Sequence, residues 1–142
     1  MQRMNAAAPR WLTWVSLFLL LWSLMGVGAF VSQYSMSAET IAGLPQAQRD
    51  LWTNMPGWAW FAYAGATLPA LGGALCLLLR KAWAVPLYLL SIIGIIVQFS
   101  YPFLIARAFT SVAMMAFPIF IFAMAVVQWR LARNWKAEGW LV

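Results

Sequence analysis

The chain has 142 residues, of which 65% are hydrophobic and 8% charged, with a net charge of +6. A soluble domain carries roughly a quarter charged residues, so a surface this poor in charge requires lipid as its solvent and excludes a water-soluble globular fold. The Lys and Arg residues flank apolar runs instead of forming a patch or a helical stripe, which excludes a nucleic-acid footprint and marks them as topology signals.

Met1 to Arg10 is a short polar tail carrying Arg3 and Arg10. Trp11 to Phe30 is the first apolar run. At about 1.5 Å per residue it rises roughly 30 Å, enough to cross the hydrocarbon core. It is longer than a signal-peptide core, and the nearest small-residue cleavage pattern, Val27 to Ala29, lies inside it; it is therefore read as a retained first span. Residues 31–56 form the one long polar connection, with Glu39, Arg49 and Asp50. Within it, LPQAQRDLWTNM predicts a short helix on the membrane surface, starting with Pro45 at its first helical position and ended by Pro56. Trp52 and Trp58 would sit at headgroup depth.

Gly57 to Leu79 is the second span, closed by Arg80 and Lys81. The third, Ala82 to Ile105, follows at once, so the connection is a tight antiparallel hairpin. Arg107 marks its far side. The fourth runs from about Phe109 to Trp129, and the tail RLARNWKAEGWLV carries Arg130, Arg133 and Lys136. Backbone groups in hydrocarbon must pair within the protein. These runs are continuous and not alternating, which excludes a transmembrane barrel. The fold class is all-α, an integral membrane four-helix bundle with a short extracytoplasmic loop helix, in a single membrane domain.

Positive residues decide the orientation. With both termini in the cytoplasm, Arg3, Arg10, Arg80, Lys81, Arg130, Arg133 and Lys136 lie inside, and Arg49 and Arg107 lie outside. The expectation is a multi-pass protein of the bacterial inner membrane, N-in and C-in, with loop 31–56 in the periplasm.

Helices pack in lipid through small residues and a few hydrogen bonds. The first span shows Ser16, Ser23, Gly26 and Gln33 at helical spacing. The second shows Ala62, Ala66, Pro69, Ala70, Gly73 and Cys76, and the third Ser91, Gly94, Gln98 and Tyr101. The fourth shows Met114, Pro118 and Ala125. If these stripes converge, they enclose Gln98, Ser91, Ser23 and Tyr101. Pro69, Pro86, Pro102 and Pro118 interrupt three spans. Such breaks serve solute binding in transporters, although proline is also simply commoner in membrane helices.

Gln98 is the only amide well inside a long apolar segment. It fits two roles, a contact to a polar solute or an interhelical hydrogen bond worth about 0.6 kcal/mol on average. Together with Ser91, Tyr101, Ser23 and Gln33 it forms the candidate ligand-binding set. The acids Glu39, Asp50 and Glu138 all lie outside the spans, which argues against a proton-coupled carrier. Arg49 and Asp50 read as a solvated face of the loop helix.

The single cysteine, Cys76, excludes an intrachain disulfide. The eight methionines are scattered, and Met114 and Met115 point different ways on a helix; they read as packing and not as a copper site. Of the ten tryptophans, only Trp22 is mid-span, and the others fit the interfacial belts. Histidine is absent, removing the commonest metal ligand and general base. With no nucleophile–base pair, phosphate loop or metal constellation, no enzyme activity, metal or cofactor is expected.

The segments PRWLTWVSLFLLLWSLMGVGAFVSQ, LPQAQRDLWTNMPGW and LLRKAWAVPLYLLSIIGIIVQF resemble a group of small bacterial inner-membrane proteins of about this length. The group has no established activity, and many of its members carry the automatic label of sugar transporter. The resemblance spans most of residues 9–99 and implies four spans. It carries no established binding or catalytic residues. Two functions are therefore expected: binding or passage of a small polar or amphipathic solute along the Gln98 face, or an accessory subunit packed against a larger membrane-protein partner. Four spans enclose little volume, so a carrier of this size would work as a homo-oligomer within the lipid bilayer.

Overall fold

The computed structural model describes residues 8–105 and 111–142. Arg3, Arg107 and the expected start of the fourth span at Phe109 lie outside the described residues. The described chain is all-α: α1 (Trp11–Tyr34), α2 (Ala38–Ala42), α3 (Gln46–Asn54), α4 (Gly57–Leu78), α5 (Ala84–Ser100) continuing into a π-helical turn (Tyr101–Ile105), and α6 (Val112–Ala137). The helices 11–34, 57–78, 84–105 and 112–137 are long and apolar enough to cross a membrane, so the protein is a four-span membrane bundle.

The boundaries differ from the sequence expectation where local chemistry decides them. α1 runs to Tyr34 instead of stopping at Phe30, which places Gln33 on the helix. Pro45 caps α3 from outside instead of opening it, and α3 stops at Asn54, before Pro56. A proline disfavours helical geometry in the residue before it, and Met55 is accordingly extended, with ψ 119°. Pro56 instead caps α4. The short α2 was not foreseen, although its signal is present: the Ser37 side chain accepts from the Thr40 amide at 3.2 Å, an ordinary N-cap. The basic tail after Trp129 is helical to Ala137. Arg, Leu, Ala and Lys are good helix formers, and Ala132 and Trp135 in this stretch are buried.

The hairpin between α4 and α5 is as tight as the adjoining spans require. Arg80 adopts φ 59°, the left-handed conformation that usually ends a helix at glycine. The Lys81 amide then bonds back to the Cys76 carbonyl at 2.7 Å. Val142 closes against this turn: its amide donates to the Arg80 carbonyl at 3.0 Å, and its carbonyl accepts from the Ala82 amide at 2.9 Å.

The bundle is assembled in series. α1 packs on α4, α4 on α5 and α5 on α6, with α4–α5 the most extensive interface. α1 and α6 complete the ring mainly through aromatic edges. Trp11 meets Trp135 and Trp140 with ring centroids 6.0 and 6.2 Å apart, and Trp22 meets Phe120 at 5.6 Å.

The hairpin and the C-terminal end of α6 share one solid core, in which Leu12, Leu77, Ala84, Tyr88, Ala132 and Trp135 pack together. Towards the loop helices only a small cluster, Ala66, Ile95 and Ala125, bridges the centre. The bundle is thus closed at its hairpin end and hollow towards its loop end. The outward faces carry Phe18, Leu21, Phe61, Leu90, Ile93 and Phe122, all exposed, as a lipid-facing surface requires.

Candidate functional site

The α4–α5 interface positions the site. Pro69 has no amide, so the Gly65 carbonyl one turn earlier lacks its helical donor. Gly94 on α5 lies against that carbonyl: a Cβ built on Gly94 would fall 2.7 Å from the Gly65 oxygen and 2.6 Å from the Ala66 nitrogen. The Ser91 hydroxyl donates to the next carbonyl, Ala66, at 2.5 Å. Glycine and serine thus bring two backbones together, which is how helices associate without a hydrophobic drive. This contact aims Gln98, one turn beyond Gly94, into the bundle.

A cavity of about 270 Å³ lies between all four spans. Of the candidate residues, Ser23, Gln33, Ser91 and Gln98 line it together. Tyr101 does not belong to it. Its hydroxyl donates to the Asn54 carbonyl at the end of α3, at 3.0 Å, and its ring meets the edge of Trp58. The expected enclosure of Tyr101 with Gln98 is therefore corrected: three residues further along the helix lift the side chain about 4.5 Å towards the loop end, to the level of the end of α3 instead of the inner chamber.

A second chamber of about 490 Å³ lies beneath α3, with Leu44, Gln48, Leu51, Trp52 and Met55 in its walls. Gln33, Tyr63, Gln98, Phe99, Phe117 and Ile121 border both chambers and form the neck between them. The Gln33 Oε1 is buried without a hydrogen-bond partner.

Two further residues carry the chemistry and were missed in the sequence. Gln128, at the end of the expected fourth span, lines the inner chamber and is only 2% exposed. It stands next to Trp129, where the apolar run gives way to basic residues, so it read as a boundary residue. Tyr63 was masked by the tryptophans around it; its ring stacks on Trp60 and meets Phe30. The signal for Gln128 was present, since it follows the stripe residue Ala125 by three positions, one helical turn.

The serine and threonine hydroxyls in the inner chamber are already committed, whereas the hydroxyl of Tyr63, which also lines it, forms no hydrogen bond among the described residues. Ser23 donates to the Ala70 carbonyl at 3.4 Å, Thr67 to the Tyr63 carbonyl at 3.1 Å, and Ser91 to Ala66. The amides are not: among the described residues, no hydrogen bond to the side chain of Gln33, Gln98 or Gln128 is formed. Gln98 is nine-tenths buried, with 9% exposure. Among the described residues, no Asp, Glu, Lys or Arg lines either chamber, and no cluster of three or more His, Cys, Asp or Glu could bind a metal.

The fold and this cavity define the class: a small multi-pass helical membrane protein with an interior hollow towards its loop end, lined among the described residues by no charged side chain. No protein-family model, curated protein or solved structure matches the chain.

Proposed function

We propose that this protein binds a small polar or amphipathic molecule within the bacterial inner membrane, in the cavity centred on Gln98. The observation that carries the reading is the Gln98 amide itself. That amide forms no hydrogen bond among the described residues, and Gln98 stands at the neck of a cavity reached by all four spans, beside Gln33, whose Oε1 is buried without a partner. A bound molecule supplies the missing hydrogen bonds.

The positive-inside rule orients the hollow. Arg80 and Lys81, and Arg130, Arg133 and Lys136, belong to the hairpin and the end of α6, where the core is solid. That end faces the cytoplasm. The hollow end, beneath α3, faces the periplasm. In this state the cavity is a binding site with access from outside, not a continuous path.

The alternative, an accessory subunit, was motivated by stripes of small residues free to receive a partner. Ala62, Ala66, Gly73 and Gly94 are instead buried inside the bundle, which favours the binding reading. Native mass spectrometry of the protein extracted gently from its own membrane tests it. A retained small molecule that Gln98→Ala loses supports binding. A stoichiometric complex with another membrane protein, and no small molecule, replaces it with the accessory role.

A further inference from the structure

Resting on that reading, we infer that the ligand is a neutral, single-chain amphiphile taken sideways from the bilayer, its oxygen-bearing head held by Gln98 and Gln128 and its hydrocarbon chain leaving between α1 and α6.

Neutrality follows from the lining. A charged group in this interior would meet no counter-charge among the described residues, of which no Asp, Glu, Lys or Arg lines the two chambers, and an unpaired charge out of water is strongly disfavoured. The number of oxygens follows from the hydrogen-bond inventory. The hydroxyls of Ser23, Thr67 and Ser91 donate to backbone carbonyls. The side-chain amides of Gln33, Gln98 and Gln128 remain, each offering two donors and an acceptor, together with the Tyr63 hydroxyl, one donor and an acceptor. That suits a carbonyl or one or two hydroxyls. It does not suit a free sugar, whose many hydroxyls would be left unsatisfied against Ala66, Ile95, Phe99 and Ala125.

The spacing supports a short polar head. Ala66, Ile95 and Ala125 form one packed layer. Gln98 lies three residues from Ile95 towards the loop end. Gln128 lies three residues from Ala125, and because α6 runs antiparallel to α5 this places it towards the hairpin end. At 1.5 Å per residue the two amides are stationed roughly 9 Å apart along the bundle axis, on either side of an apolar layer. Side chains reaching inward from both levels can hold the two ends of one small head.

The route follows from the rim. Met25 on α1 and Phe117 on α6 both line the inner chamber, yet they are 69% and 66% exposed. The chamber therefore opens through the wall of the bundle, where hydrocarbon lies. α1 and α6 are joined there by the Trp22–Phe120 ring contact and not by close backbone packing. Gly26 and Ala29 keep the α1 side of the gap low. The hairpin end is shut by Trp135 and Tyr88 and the loop end leads into the outer chamber, so the wall is the opening that faces hydrocarbon and admits a chain.

The test is photolabelling in phosphatidylcholine nanodiscs. The probe is a monoacylglycerol carrying a diazirine in its chain, and the competitors are unlabelled monoolein and glucose. Label is expected on residues 22–29 and 117–121, suppressed by monoolein and unaffected by glucose. Gln98→Leu and Gln128→Leu are each expected to lower this labelling about tenfold, because an unmet hydrogen bond costs about one decade in affinity, with thermal unfolding unchanged. Suppression by glucose and not by monoolein would overturn the amphiphile and leave the binding cavity standing. Label spread evenly over the lipid-facing helices, insensitive to both competitors and both variants, would overturn the amphiphile and the cavity together. A fall in thermal stability with labelling intact would make Gln98 a structural amide and remove its role in the site.

Discussion

Gly94 lies so close to Gly65 that a methyl group on Gly94 would stand 2.7 Å from the Gly65 oxygen. That carbonyl is freed by Pro69, and the missing side chain of Gly94 lets α5 approach it. Proline and glycine, usually read as helix defects, here act as a matched pair that sets the distance between two spans.

Gly94→Ala should therefore be destabilising, by about 1–3 kcal/mol as for other overpacked cores. Gly28, on α1, has no atom within 4 Å of the Cβ an alanine would add. Gly28→Ala should be neutral or stabilising by up to about 1 kcal/mol, from helix propensity alone. Thermal unfolding in one detergent, read for both variants, checks the contrast; equal effects would contradict the close approach.

Ser91→Ala removes one hydrogen bond, to Ala66, and leaves no void larger than an oxygen atom. Interhelical hydrogen bonds in membranes are worth about 0.6 kcal/mol on average and up to about 1.7. The expected order of damage is Gly94→Ala above Ser91→Ala. Chemical denaturation in mixed micelles reads both. The reverse order would mean that the hydrogen bond, and not the backbone approach, holds α4 to α5.

Tyr101→Phe removes the bond to the Asn54 carbonyl, the hydroxyl link from the spans to the end of α3. Hydrogen exchange should rise over residues 46–54 while α4 and α5 stay protected. Because Tyr101 lies outside the inner chamber, ligand retention should not change. Loss of ligand with unchanged exchange would return Tyr101 to the site.

Arg80 sits at φ 59°, a conformation that costs a residue with a Cβ about 1–2 kcal/mol. Arg80→Gly offsets this against the greater freedom of glycine in the unfolded chain, so a net stabilisation of about 0.5–1 kcal/mol is expected. A higher unfolding temperature checks it. Lys81 retains a positive charge at the turn.

With Cys76 replaced by serine, a single cysteine at Thr53 should react with a membrane-impermeant maleimide on intact spheroplasts, and one at Lys136 only after lysis. The opposite pattern would invert the orientation assigned from the basic residues and place the hollow end in the cytoplasm.

The four spans, the tight hairpin after Leu79 and the all-α class were legible because hydrocarbon imposes a simple rule: every backbone group must pair, so about 20 apolar residues in a row become a helix. The face of α5 was legible too, since Ser91, Gly94 and Gln98 recur at helical spacing and are all buried. Gln128 was not, because a run ending in Trp129 and Arg130 marks the edge of an apolar segment and carries no mark that the helix continues to Ala137. Nor was the placement of Tyr101, which helical spacing alone assigns to the Gln98 face.

The amino-acid order by itself thus determined how many times the chain crosses and which residues are small enough to let helices touch, because both depend on local composition. Only the tertiary structure decided that the hairpin end is solid and the loop end hollow, and that Ser23, Gln33, Gln98 and Gln128 share one cavity. Those facts depend on the rotation and axial level of four separate helices. These are set by contacts between residues far apart in sequence, such as Gly65 with Gly94 and Trp22 with Phe120, and no window along one strand of sequence contains them.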